Sequence, residues 1–386
     1  MFSLTETDFE IFKNGTPVTQ TVGDNVELPF NNDLLYQGNL AAVSAWDISW
    51  IKVFYQLESG EIASRHYDIA EKQWNDAYAL TAVPVDAPYR PVIRTPLAAF
   101  QTADGNIHLF YTSPSADDVT RYQLIEVVWE GTTAEESEPK PVLIDGRPVT
   151  VALYSNLGVV GYKPNKEDND GNDIHLRVYY QETADKLNRI QELQYTPTSG
   201  WSFGTLLPID PHRPLLGTSI AFIDHNGHEP AIRGYYQDVN GRIREITYYT
   251  EDGKNWIWSH NDSMTFDKIP YRTALTAINP LNKLYECVFW VDNYNRLVHS
   301  RWTQHGWEYP VAKGKVDRIP LAPGSKIAVA GVYAADAEDH YDLYLFSVLP
   351  LNTLTVRKFN SSNGGPPEFV PIGNSTDGVV VGTLDE

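Results

Sequence analysis

Cysteine is almost absent: Cys287 is the only one in 386 residues. That excludes an internal disulfide framework and any metal site built on several thiolates. Basic residues are also scarce. Thirty Lys and Arg stand against fifty Asp and Glu, a formal net charge of −20 spread along the chain. A field of that sign repels phosphate backbones and anionic surfaces, so neither nucleic acid nor membrane is an expected partner. No run approaches the roughly 18 apolar residues of a membrane span. The opening MFSLTETDFE lacks the basic and apolar regions of a secretory signal, and the expected compartment is the cytoplasm. Missing too are G-x-S-x-G, H-E-x-x-H and the P-loop. The chemistry, if there is any, is therefore expected to use no metal and no cofactor.

Aromatic residues are abundant, with 23 Tyr and 10 Trp against only 2 Met. Tyr and Trp combine a flat apolar face with a polar tip, which suits a sugar or a small organic molecule. Helical periodicity is nearly absent. Short runs rich in Val, Ile, Tyr and Phe alternate with Gly, Asp, Asn and Pro, as strands and turns do. A doublet recurs at Phe54-Tyr55, Phe110-Tyr111, Tyr179-Tyr180, Tyr235-Tyr236, Phe289-Trp290 and Leu345-Phe346. Its spacing is 54–56 residues apart from one interval of 69. Such a period with several strands inside it predicts a β-propeller, which also lets a long chain fold as one unit. We count six blades in an all-β single domain with extended loops and terminal extensions, spanning 1–386. The repeats run roughly over 40–85, 93–145, 148–210, 215–268, 271–320 and 324–372. Each opens on a small-residue strand suited to the crowded axis: AAVSAW, TPLAAF, VTVALY, GTSIAF, TALTAI and SKIAVAGVY. The longer third interval contains YKPNKEDNDGND, whose acidic run lacks the spacing of a calcium loop.

Repeat 4, IRGYYQDVNGRIREI, holds the densest constellation. It places Arg233 and Glu245 on successive strands of a hairpin, and the next repeat adds Trp302 and Trp307 in SRWTQHGWEYP. A cross-strand ion pair beside two outer-strand tryptophans would look the same. On these residues, and over roughly 40–350, the chain resembles the fungal fucose-specific lectins. The resemblance implies a six-bladed propeller with sugar sites between adjacent blades. There an Arg and a Glu hydrogen-bond the sugar hydroxyls, and aromatics of the following blade cover its apolar face. One such site would be Arg233, Glu245, Trp302 and Trp307. A second would be Arg177 and Glu192, displaced by an insertion, with Tyr249 and Trp256. Elsewhere the pair degrades to Lys52 with Ser64, His108 with Glu126, and Cys287 with His299. Repeat 6 shows no pair.

A scaffold longer than those lectins, with most sugar positions altered, suits another task. The chain is similar in this respect to fungal enzymes of the same fold that direct hetero-Diels–Alder couplings in tropolone–sesquiterpene pathways. The leading expectation is thus a cofactor-free pericyclase joining a tropolone quinone methide, an aromatic diene, to a humulene-type apolar polyene. Such a reaction needs two partners held face to face and water kept out. The alternative is a fucose-binding lectin with one or two retained sites; a propeller that binds another protein is a third reading. Candidate catalytic residues are Arg94, Tyr154, Tyr162, Tyr271, Arg272, Trp290 and His299. A homodimer is compatible with every reading.

Overall fold

A doublet in the middle of a strand puts two large side chains on opposite faces, because successive residues alternate. In the computed structural model of the chain both faces are used. Phe54 packs with Leu109, Tyr111 and Ile125 of the following blade, while Tyr55 packs with Ala328, Tyr344 and Phe346 of the sixth. Tyr179 joins Ile220, Ile232 and Ile246 of blade 4, and Tyr180 joins Phe110 and Leu124 of blade 2. Tyr235 reaches Leu275 and Val288 of blade 5, and Phe289 reaches Leu343 and Leu345 of blade 6. In blades 1 to 5 the first member of each doublet thus faces the next blade and the second faces the previous one; in blade 6 the order reverses, Leu345 turning to blade 5 and Phe346 to blade 1. Six hydrophobic cores result, one per blade interface.

Six antiparallel sheets build the blades. Their innermost strands are Leu40–Ser44, Ala98–Gln101, Leu157–Tyr162, Ile220–Asp224, Leu275–Ile278 and Ile327–Tyr333. Each packs against its two neighbours, and the first meets the last, so the ring closes and the molecule is a six-bladed β-propeller. The second strands are Trp50–Gln56, Ile107–Pro114, His175–Glu182, Ile232–Gln237, Glu286–Val291 and Tyr341–Leu349. The structure describes residues 38–45, 49–71, 73–74, 78–79, 89–102, 105–115, 118, 120–129, 137–162, 175–182, 187–208 and 210–224. It further describes 232–250, 256–266, 269–279, 286–303, 306–308, 321, 324–333, 341–349, 353–361, 368–370 and 379–380. Among them no helix is long and apolar enough to cross a membrane.

One strand departs from the sequence reading. The segment VTVALY was expected to open blade 3, but Thr150–Ala152 pairs with Arg121–Gln123 at the outer edge of blade 2. Leu157–Tyr162, LGVVGY, takes the axial place instead. Its glycines allow close approach: a side chain at Gly161 would collide with the Phe100 ring of blade 2. The acidic run of YKPNKEDNDGND lies outside the described residues.

The links into the inner strands of blades 2 to 6 repeat one device. A residue with left-handed backbone comes first: Arg94, Tyr154, Gly217, Arg272 or Gly324, at φ of 59°, 68°, 77°, 61° and 75°. A Ser or Thr follows, and its hydroxyl accepts the backbone N–H of Thr112, Gln181, Gln237 or Val291 on the second strand. A buried glutamine ending a second strand then grips the next blade. The Oε1 atoms of Gln56, Gln181 and Gln237 accept N–H bonds from Thr95, Gly217 and Arg272 at 3.1, 2.7 and 2.7 Å.

Candidate inter-blade site

The second and third strands of each blade run antiparallel, and their register sets the chemistry at the blade edge. Two residues before each doublet, on the same face as its first member, stand Lys52, His108, Arg177, Arg233, Cys287 and Leu343. Directly across from the first doublet residue of blades 1 to 5 stand Ser64, Glu126, Glu192, Glu245 and His299. The next blade contributes an aromatic from its third strand: Trp129, Tyr195, Tyr248 or Trp302. Its outer strand adds Trp201, Trp258 or Trp307 across from the last three. The corners that follow blades 2, 3 and 4 therefore draw a basic side chain and an acid from one blade and a wall of rings from the next.

The corner between blades 4 and 5 is the most elaborate. Arg233 Nη1 donates to Glu245 Oε1 at 2.8 Å, and the Trp307 indole N–H donates to Glu245 Oε2 at 3.1 Å. The guanidinium lies 4.3 Å from the centre of the Trp302 ring, close enough for a cation–π contact. Arg233 is 3% exposed and Glu245 1%, whereas both tryptophans are half-buried. A third charge completes it. Glu286 is fully buried, with Oε1 2.9 Å from Arg233 Nε and Oε2 accepting from the Tyr235 hydroxyl at 2.8 Å. Its equivalents in blades 1 to 4 are Ile51, Ile107, Leu176 and Ile232, all apolar. Sequence reading missed Glu286 because it stands next to the pair positions and not at one of them. Burial raises the Glu245 carboxyl to about 7; Arg233 opposes that rise and Glu286 adds to it.

Between blades 3 and 4, Arg177 Nη1 donates to Glu192 Oε1 at 2.6 Å, with the Tyr179 hydroxyl on Oε2 at 3.0 Å. Gln194 Nε2 also donates to Oε1, at 2.5 Å. The ring facing Arg177 is Tyr248, 5.2 Å away, backed by Trp258 at 5.0 Å. The sequence had assigned Tyr249 and Trp256 to this place. Tyr249 pairs with Ile257 and so points to the opposite face; the side chain of Trp256 is not described. A shift of one residue exchanges the faces of a strand.

The remaining corners vary the theme. Between blades 2 and 3, His108 Nδ1 is 2.7 Å from Glu126 Oε1, and the Trp201 indole N–H donates to Glu126 Oε2 at 3.3 Å. Between blades 1 and 2, the Lys52 ammonium lies 4.8 Å from the Trp129 ring with no acid at Ser64. Between blades 5 and 6, buried Cys287 packs among apolar side chains.

The seven candidate catalytic residues do not form one group. Arg94, Tyr154, Tyr271 and Arg272 sit at the mouth where the inner strands begin. Tyr154 is 70% and Tyr271 66% exposed, and Tyr154 and Arg272 flank Gly217. Tyr162 ends its strand at the other mouth. Trp290 is the second doublet residue of blade 5 and packs in the core between blades 4 and 5. His299 is buried against Phe289; burial, then Arg301, lowers its imidazole to about 4. Among the described residues no group of three His, Cys, Asp or Glu could hold a metal ion.

Comparison with known proteins agrees with this geometry. The sequence model of the fungal fucose-specific lectins matches residues 143–348. Fucose-specific lectin g276 of Arthrobotrys oligospora is 28% identical over 356 residues, covering 86% of this chain and 84% of that one. The crystal structure of AofleA from the same organism superposes with a TM-score of 0.68 at 25% identity, over 88% of this chain and 86% of the other. A triple Arg→Ala variant of AofleA has the same fold, with a TM-score of 0.65 to this chain. The six-bladed lectin of Aleuria aurantia shares the fold with a TM-score of 0.65 at 17% identity, over 91% of this chain and 98% of that one.

Proposed function

The chain belongs to the fungal fucose-specific lectin family, and from that premise we propose that it binds fucose at two inter-blade corners. The observation that carries this reading is the repeated triad of guanidinium, carboxylate and aromatic wall at Arg177–Glu192–Tyr248 and Arg233–Glu245–Trp302. A pyranose presents hydroxyls on one side and C–H bonds on another. The guanidinium donates to hydroxyl oxygens and the carboxylate accepts hydroxyl protons, bonds strengthened by the charges. The rings cover the C–H face. Because Arg233 and Glu245 are nearly closed off, entry requires the half-buried Trp302 ring to swing away from the guanidinium.

Calorimetric titration with α-methyl-L-fucoside tests the reading. Arg233→Ala removes charged hydrogen bonds worth ~1.5–3 kcal/mol, so affinity at that corner should fall at least tenfold, ~1.4 kcal/mol being one decade. No heat at millimolar fucoside with the unmodified chain would overturn it.

A second reading, cycloaddition, draws on the other end of the molecule, where Tyr154 and Tyr271 are exposed and Tyr154 and Arg272 flank Gly217. It makes a separate demand: coupling of a tropolone quinone methide to a humulene-type alkene should be faster with protein than without. Tyr271→Ala should remove that difference while Arg233→Ala leaves it. An identical product ratio with and without protein excludes it.

A further inference from the structure

Three corners share one construction, but only two use arginine. In the third, between blades 2 and 3, the cation position is held by His108. Its acid, Glu126, meets Nδ1 at 2.7 Å, much as Glu192 and Glu245 meet their arginines at 2.6 and 2.8 Å. The Trp201 indole N–H reaches the second oxygen of Glu126, as that of Trp307 reaches the second oxygen of Glu245. Tyr195 completes the wall, 6.5 Å from the imidazole and 5.1 Å from Trp201. The His108 and Glu126 side chains keep 12% and 17% of their surface open, against 4% and 0% for Arg233 and Glu245. This corner is thus the more accessible, and His108 Nε2 makes no hydrogen bond among the described residues.

We propose that this corner is a third fucose pocket in which His108 replaces arginine, and that it holds the sugar more tightly in mild acid. The inference rests on the fucose reading of the two arginine corners. An imidazole changes charge within the physiological range, whereas guanidinium does not. Neutral His108, donating through Nδ1 to Glu126, offers a sugar hydroxyl only an acceptor at Nε2. Protonated, it donates through both nitrogens, one bond to Glu126 and a charged one to the sugar. The other groups facing the imidazole are uncharged: Phe110 on its own strand, Phe100 and Val128 across the sheet, and Tyr195 and Trp201 from blade 3. Lys140, exposed, stands across from Glu126 in register and is the second cation on that edge.

The test isolates this corner. In the full chain carrying Arg177→Ala and Arg233→Ala, α-methyl-L-fucoside is titrated by calorimetry at pH 5.5 and pH 7.5. One site is expected, at least threefold tighter at pH 5.5. Adding His108→Ala should abolish it, and His108→Arg should give equal affinity at both pH values. Should the double variant fail to fold by circular dichroism, the His108 ring proton is followed by NMR in the unmodified chain. Fucoside should then raise its titration midpoint, and an unmoved midpoint overturns the proposal. A folded double variant silent at both pH values, while the unmodified chain still binds, sinks the third pocket alone. Silence of the unmodified chain sinks the fucose reading itself.

Discussion

The two arginine corners differ by one buried charge. Glu286 occupies a place that is Ile or Leu in blades 1 to 4, and it brings a second buried carboxylate to Arg233. One guanidinium cannot balance two carboxylates, so the strain falls on Glu245, whose carboxyl is raised to about 7 by burial with Glu286 contributing. A carboxyl raised in the folded state contributes stability that is fully present below its ordinary value of 4.5 and is lost as pH rises through about 7. Denaturant unfolding of the unmodified chain should therefore show this contribution declining between pH 5 and pH 7. In Glu286→Gln one like charge is gone, Glu245 ionises more easily, and the decline over that window should be shallower. An equal slope in both proteins would deny the coupling. Glu286 could be found only through register: no motif marks it, and its meaning depends on Arg233 lying across a blade interface.

Among the elements, the inner-strand link recurs most regularly, and its parts have separable costs. Gln237 accepts from Arg272 N–H at 2.7 Å and donates to the Pro270 carbonyl at 2.9 Å. Gln237→Leu leaves the Arg272 N–H unmatched, a loss of ~1–3 kcal/mol for a buried donor, readable as a fall in unfolding free energy, while the Pro270 carbonyl keeps the Thr273 N–H. The residue before the Ser or Thr behaves differently. Tyr154 holds φ 68° with its ring 70% exposed, where Gly217 and Gly324 serve the same turn. Relief of a left-handed backbone, ~1–2 kcal/mol, offsets the extra chain entropy of glycine, so Tyr154→Gly should leave stability within about 1 kcal/mol of the parent. These turns also show where sequence was informative. The doublet spacing revealed the blades because every doublet faces two cores, a demand no surface strand makes. The axial strand of blade 3 was misplaced because VTVALY has the right small residues, yet only LGVVGY has glycine where Phe100 presses. Tyr249 was chosen over Tyr248 because adjacent tyrosines are equivalent on paper and opposite on a pleat.

At the scale of the whole molecule the corners and the exposed mouth lie at opposite ends. Arg233 pairs across from Ile223 near the finish of its inner strand, while Tyr154 and Arg272 stand where inner strands begin. A sugar coat engaged at the corners thus leaves the other mouth open. The two arginine corners sit on neighbouring interfaces of one closed ring, so on the proposed reading a surface dense in fucose would occupy both at once. Linked sites gain from effective concentration, which single sites lack. Arg177→Ala and Arg233→Ala should each remove one site from a calorimetric titration at pH 7.5 without changing the affinity of the other corner. On an immobilised fucose surface the same variants should lose far more than half of the retained binding, with dissociation faster by at least tenfold. Both arms are needed. If one substitution leaves dissociation unchanged while the other abolishes binding, one corner does all the binding, and the second guanidinium, carboxylate and aromatic wall are structural.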